Sequence, residues 1–293
     1  MLPRMLGLGA VQLNFLVNTI LASGLVAGSL SALNYAWLLM LLPQGVFAQA
    51  VATAAFPTLS TQAARGERDQ MRSTLSATLR AVLYLAVPAA VGLIVLSELL
   101  VRVIFERGAF TATSTEMVSW ALALFALGLP AHAVVEIVVR AFYAMHDTKT
   151  PVAIGVGAMA LNVVLSLAFI GLFKSLGWPA LGGLALSNSL ATTAEMVLLV
   201  AIVRRRLGGL DGRCMAGSLV RICLAAAVMG LVVAIWAWAL EGLPAIVAAL
   251  VTVGTGGLIY VGVSLGLGAP EPRAVWGMVR SGRRLCANDD IRL

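Results

Sequence analysis

His132, Glu136 and Arg140 recur at i, i+4 and i+8, so on a helix they form one polar stripe. An imidazole, a carboxylate and a guanidinium on one face could relay protons or line a wet cavity. Glu136 and Arg140 could equally neutralise each other as an ion pair that locks helices together. His132 would lie about 12 Å from Arg140 along the axis, at ~1.5 Å per residue. Asn188, Thr192 and Glu195 share a second face (i, i+4, i+7), Asn162 and Ser166 a third, and Asn14 and Asn18 a fourth. Such amides and hydroxyls act as hydrogen-bond glue between membrane helices.

Catalysis on a lipid would need clustered carboxylates or a metal at the membrane interface. Asp147, Glu106 and Glu116 are the obvious interfacial acids, and the topology derived below puts them on opposite sides. Cys214, Cys223 and Cys286 show no CxxC spacing and no nearby histidine pair, which predicts free thiols and no metal site.

The elements that must position these groups are membrane spans. The chain has 293 residues, 11% of them charged and 60% hydrophobic, with mean hydropathy +0.98. About 20 apolar residues cross the ~30 Å of hydrocarbon as a helix. Eight stretches qualify: A, 7–29; B, 32–58; C, 81–101; D, 117–144; E, 152–173; F, 179–202; G, 217–240; and H, 244–267. They are too long and too uniformly apolar for barrel strands, so the fold class is all-α, a polytopic membrane helical bundle. With both termini cytoplasmic, 17 of the 20 Lys and Arg residues fall on the inner side, leaving Arg102, Arg107 and Lys174 outside. The net charge of +7 thus reports topology and not nucleic-acid binding. The N-terminal stretch lacks a small-residue cleavage site, which predicts that span A is retained.

Within 61–79, Arg65, Arg68 and Arg72 fall on one helical side and Met71, Leu75 and Leu79 on another. That pattern suits a helix lying on an anionic membrane face, or a solvated loop helix. The tail 268–293 reads as basic, polar and partly disordered. "RAFYAMHDTKTPV" at 140–152 reads as a cytoplasmic turn. Pro151 disfavours helix at Thr150, ending span D near Asp147 and letting span E start at the proline.

That turn resembles the signature of the MurJ (MviN) family of lipid II flippases. "LNYAWLLMLLPQGVFAQAVATAAFPTLS" at 33–60, "VPAAVGLIVL" at 87–96, "FERGAFTATST" at 105–115 and "GGLALSNSL" at 182–190 match it in the same order. The resemblance covers roughly residues 1–210 and implies the second six-helix lobe of a two-lobed exporter fold, followed by two accessory helices (211–267). The first lobe would lie in a longer chain or a separate subunit.

By resemblance, the function is part of a peptidoglycan-precursor flippase of the bacterial inner membrane, working by alternating access and breaking no bond. The partners implied are a polyprenyl-pyrophosphate-linked cell-wall precursor, membrane lipids and the first lobe. No cofactor is implied beyond coupling to sodium or to the membrane potential. Substrate-cavity candidates are Asn14, Asn18, Tyr35, Gln44, His132, Glu136 and Arg140. Asn18, Asn162, Ser166 and Asn188 fall near the family's sodium position. The family's cavity arginine in "YAxRL" is Leu38 here, which cannot bind phosphate. Export of another polyprenyl-linked glycan or amphipathic solute, or a degenerate half-transporter serving as a scaffold, are the alternatives. Pro43 and Gly45 predict a kinked, mobile helix.

Overall fold

The computed structural model describes residues 2–108, 110–210, 212–240, 242 and 244–268, without the side chains of residues 2–11, 13, 213 and 214. Cys214, Cys286 and the tail beyond Gly268 therefore lie outside the described side chains; Cys223 is a free, exposed thiol. The elements are α1 (Leu2–Ser23), α2 (Ser29–Pro43), a π-helical segment (Gln44–Gln49), α3 (Ala50–Ala64), α4 (Arg68–Val95), α5 (Ser97–Phe105), α6 (Ala112–Ala126), α7 (Leu129–Ala144), α8 (Lys149–Ser175), α9 (Leu181–Arg206), α10 (Gly212–Ala239) and α11 (Ala245–Gly266). No strand occurs among the described residues.

Six stretches are long and apolar enough to cross a membrane: 29–64, α4, α8, α9, α10 and α11. The pair α6 and α7, bent by 46°, makes a seventh. In the place of span A stands α1, whose described apolar part is Asn14–Ser23 and which packs along α8. Large apolar side chains such as Leu231, Trp238, Leu250 and Leu258 are exposed, as the lipid-facing surface of a membrane bundle requires.

Three expectations need correction. Span C is α4, which begins at Arg68 and stops at Val95, with α5 a separate short helix. The 61–79 stretch is therefore neither a surface helix nor a solvated loop helix. Gly66, at φ 71°, lets α3 turn into α4 within three residues. The apolar face of Met71, Leu75 and Leu79 then packs inside the bundle beside Ile137, Phe142 and Val203. Span D is broken, because α6 stops at Ala126 and α7 restarts with Pro130 in its first turn. At the break, a Cβ on Gly128 would come within 2.8–3.0 Å of Ser189, so α9 packs directly on this backbone.

The turn 145–148 also differs from expectation. Thr150 is helical, and α8 starts two residues before Pro151. A proline in the first turn sacrifices no helical hydrogen bond. His146 takes the left-handed conformation, φ 59°, at the end of α7. There its N–H donates to the Tyr143 carbonyl and the Asp147 N–H donates to the Phe142 carbonyl, a Schellman ending. Asp147 Oδ1 accepts the N–H groups of Lys149 and Thr150 at 3.0 Å each, capping α8.

Residues from the α3–α4 turn, the α7–α8 turn and the end of α9 line one depression of about 380 Å3, so these connections share one end of the bundle. Helices α10 and α11 dock on α4: Tyr260 donates to the Tyr84 carbonyl at 2.7 Å, and the Tyr84 and Ser264 hydroxyls lie 2.9 Å apart.

A polar cavity between five helices

Polar side chains from α1, α2, α7, α8 and α9 converge on a cavity of about 440 Å3. Asn18 Nδ2 donates to Asn14 Oδ1 at 2.9 Å and to Asn162 Oδ1 at 3.0 Å, tying α1 to α8. Asn14 Nδ2 reaches the same Asn162 oxygen at 3.3 Å. Across the cavity, His132 Nε2 lies 3.2 Å from Asn188 Oδ1 and 3.3 Å from Thr192 Oγ1, joining α7 to α9. The Trp37 ring meets the imidazole edge-on at 5.7 Å and Phe125 at 5.4 Å. Thr19, Asn34 and Glu195 complete the polar lining among the described residues.

The 132–136–140 stripe is thus divided. His132 faces the cavity, whereas Glu136 and Arg140 do not line it. Arg140 Nη2 holds Glu136 Oε1 at 2.8 Å, and its Nη1 donates to Thr53 Oγ1 at 2.6 Å and to the Gln49 carbonyl at 3.4 Å. The guanidinium therefore joins α7 to α3 and to the π-helical segment.

Of the other candidates, Asn14, Asn18, Asn162 and Asn188 line the cavity. Ser166 is buried and paired with Ser187 at 2.9 Å. Tyr35 packs against Phe105 and Phe110, 4.8 and 5.8 Å between ring centroids. Gln44 opens the π-helical segment, with Oε1 buried and unpartnered. Leu38, in the motif position of the cavity arginine, is 52% exposed and lines no part of the cavity. Glu195, Thr192 and Trp37 belong to the cavity without standing out as site residues in the sequence. The i, i+4, i+7 face of α9 is the signal for the first two; Trp37 has none.

A second charged cluster sits at the 145–148 turn. Burial alone would raise the Asp147 carboxyl, but the Thr150 hydroxyl and N–H, together with Arg206, hold it down from 3.8 to about 2. The Arg206 guanidinium also lies 5.3 Å from the Phe142 ring centroid, within cation–π range.

The family profile described as "Lipid II flippase MurJ" matches residues 1–250. The probable lipid II flippase MurJ of Vibrio cholerae is 34% identical over 199 residues, covering 68% of this chain and 37% of that protein. That of Rhizobium meliloti is 36% identical over 229 residues, covering 78% of this chain and 41% of the relative. The chain thus spans less than half the length of these relatives. A solved lipid II flippase MurJ in an inward closed conformation superposes with TM-score 0.74 and 27% identity, over 90% of this chain and 52% of that one. An outward-facing multidrug resistance MATE family transporter of the MOP superfamily superposes at TM-score 0.51 and 17% identity, over 91% of this chain and 63% of that one, a likeness of fold alone. With a profile match over most of its length and several apolar spans, the chain is a multi-pass protein of the bacterial inner membrane and belongs to the MurJ family.

Proposed function

We propose that this chain supplies the second lobe, 1–210, and the accessory helices, 211–267, of a lipid II flippase working by alternating access, with 268–293 as a cytoplasmic basic tail. Its partners are a polyprenyl-pyrophosphate-linked cell-wall precursor and a first lobe, from a longer chain or a separate subunit. Both termini face the cytoplasm, because that orientation puts 17 of the 20 basic residues inside. Coupling in this reading is to sodium or to the membrane potential, with Asn18, Asn162, Ser166 and Asn188 as the candidate cation ligands that the family resemblance implies.

The observation that carries this reading is the polar cavity itself. Five helices of an apolar bundle turn asparagine, histidine and glutamate side chains inward on one space, within the stretch matched to the family. Polar groups at that depth need partners or water, and a transported headgroup meets the same need. No bond is made or broken, so positions and not nucleophiles do the work.

Leu38 favours a second reading, a half-transporter that has lost its own phosphate grip. Reconstitution decides between them. In liposomes with a labelled precursor, the chain joined to or mixed with a first lobe is expected to flip the lipid, and the chain alone is not, because a rocking cavity needs two lobes. Failure of the two-lobed form would sink the flippase reading and leave the scaffold.

A further inference from the structure

Below the accessory helices, the buried apolar residues form two separate cores. The inner one, at the end of the α3–α4 and α7–α8 turns, includes Leu59, Leu75, Ile137 and Leu199; the outer one, towards α5, includes Leu33, Val101, Leu122 and Leu184. Among the described residues, four paths of chain bury side chains in both. Three of them are irregular where they pass from one core to the other, and the fourth is polar there. The stretch 29–64 leaves the outer core at Met40 and enters the inner one at Ala48, within its π-helical segment. Helix α4 crosses between Ala86 and Ala90, at Pro88, and the pair α6 and α7 crosses between Leu129 and Ala133, beside its 46° bend. Helix α9 crosses between Ala185 and Leu199, the stretch that holds Asn188, Ser189, Thr192 and Glu195.

The second observation concerns the backbone at these crossings. Each irregularity releases a carbonyl from the helical ladder, and a side chain of another helix takes it. Pro88 has no N–H for the Tyr84 carbonyl, which accepts the Tyr260 hydroxyl of α11 at 2.7 Å. At the end of α6, Ser189 Oγ of α9 reaches the Leu124 carbonyl at 2.7 Å and that of Phe125 at 3.3 Å. Arg140 of α7 reaches the Gln49 carbonyl, at the end of the π-helical segment, at 3.4 Å. Hydrocarbon supplies no water to such groups, so partners from the protein must. Proline, glycine and π turns are also where helices bend.

We propose that the chain flexes at this layer as an inner and an outer half, with Ser189 and Tyr260 as the latches that fix the angle between them. The polar cavity lies at the same level, lined by Phe125 of the outer core and by His132, Asn188 and Thr192 of the crossing itself. A change in bend therefore widens one end of the cavity as it narrows the other. Through Tyr260, the accessory helix α11 acts on the hinge of α4.

The test measures distances between pairs of spin labels in the 293-residue chain, its native cysteines replaced, in lipid nanodiscs. The label sites are exposed. V26C with E116C reports within the outer half and R65C with T148C within the inner half; V26C with T148C, and E116C with R65C, report across the layer. S189A and Y260F each remove one hydroxyl and leave the rest of the side chain in place. In both variants the cross-layer distances are expected to shift or broaden by about 5 Å, as a change of ~20° over an arm of ~15 Å gives, while the same-half distances hold. Lowered melting temperatures with all four distances unchanged would show hydroxyls that only stabilise, and overturn the proposal. Broadening of the same-half pairs as well would show a general loosening, and overturn it too. Either result leaves the flippase reading intact, with a lobe that rocks as a rigid body.

Discussion

Arg206 Nη1 lies 2.6 Å from Asp147 Oδ2, so the last residue of α9 is tied to the turn that starts α8. Arg206 Nη2 also donates to Thr150 Oγ1 at 3.2 Å. The cluster that reads as a topological turn in sequence is therefore also a clasp between α7, α8 and α9.

The clasp carries a pH signature. Asp147 is held at about 2 in the folded chain against 3.8 for the free group. The folded value is the lower one, so its contribution is fully present above pH ~4 and fades as pH falls towards 2. D147N should lower thermal stability at neutral pH by about 1 kcal/mol, a modest figure because the Arg206 side chain is 42% exposed. Melting curves in detergent from pH 7 to pH 2 should show the wild-type and D147N proteins converging at the acid end; parallel curves would refute the linkage.

His146 holds a left-handed conformation that costs a β-carbon roughly 1 kcal/mol. H146G should raise stability by about that amount, and H146V should lower it. A neutral or destabilising H146G would mean that the imidazole contributes as much as the strain costs, or more, and would refute the prediction.

Thr53 and Glu136 accept from opposite nitrogens of one guanidinium. E136A alone leaves Arg140 with Thr53 and the Gln49 carbonyl, and T53A alone leaves it with Glu136 and the Gln49 carbonyl. The double variant should lose more than the two single losses added, by about 1 kcal/mol. Additive losses in a double-mutant cycle would show that the two acceptors act independently.

A Cβ on Gly183 would stand 2.9 Å from the Phe169 backbone carbon, whereas one on Gly257 meets nothing within 4 Å. G183A should force α8 and α9 apart and cost about 2 kcal/mol; G257A should stay within about 0.5 kcal/mol. Equal melting temperatures for the two variants would contradict this packing.

Cysteines placed at Arg65 and Gly242 in a cysteine-free chain should label from opposite membrane faces. Labelling of both from one face would overturn the span assignment between them.

Span number and helical class are legible because hydrocarbon thickness sets a length that apolar runs either meet or miss. Breaks within spans are less so: Gly128 and Pro130 advertise the α6–α7 bend, but uniform hydropathy over 117–144 hides it. The site is legible one helix at a time. Asn14 with Asn18, and Asn188 with Thr192, fall on shared faces by spacing alone. That His132 meets Asn188 while Arg140 meets Thr53 depends on the rotation and bending of whole helices against each other, which no local pattern encodes. The 61–79 stretch shows the same limit: its amphipathic face is real, but lipid and protein interior attract the same side chains.

The π-helical turn at Gln44–Gln49 has a further consequence for register. Such a turn accommodates one residue more than an α-helix would. Deleting Val46, which is 65% exposed and carries no packing role, would let 29–64 wind as uninterrupted α-helix. Each residue then counts for about 100° of rotation, so Thr53 would swing from Arg140 towards another neighbour while Tyr35 and Trp37 stayed in place. The two halves of this 36-residue rod are thus phased separately, and the extra residue sets the angle between the aromatic end and the Arg140 clasp.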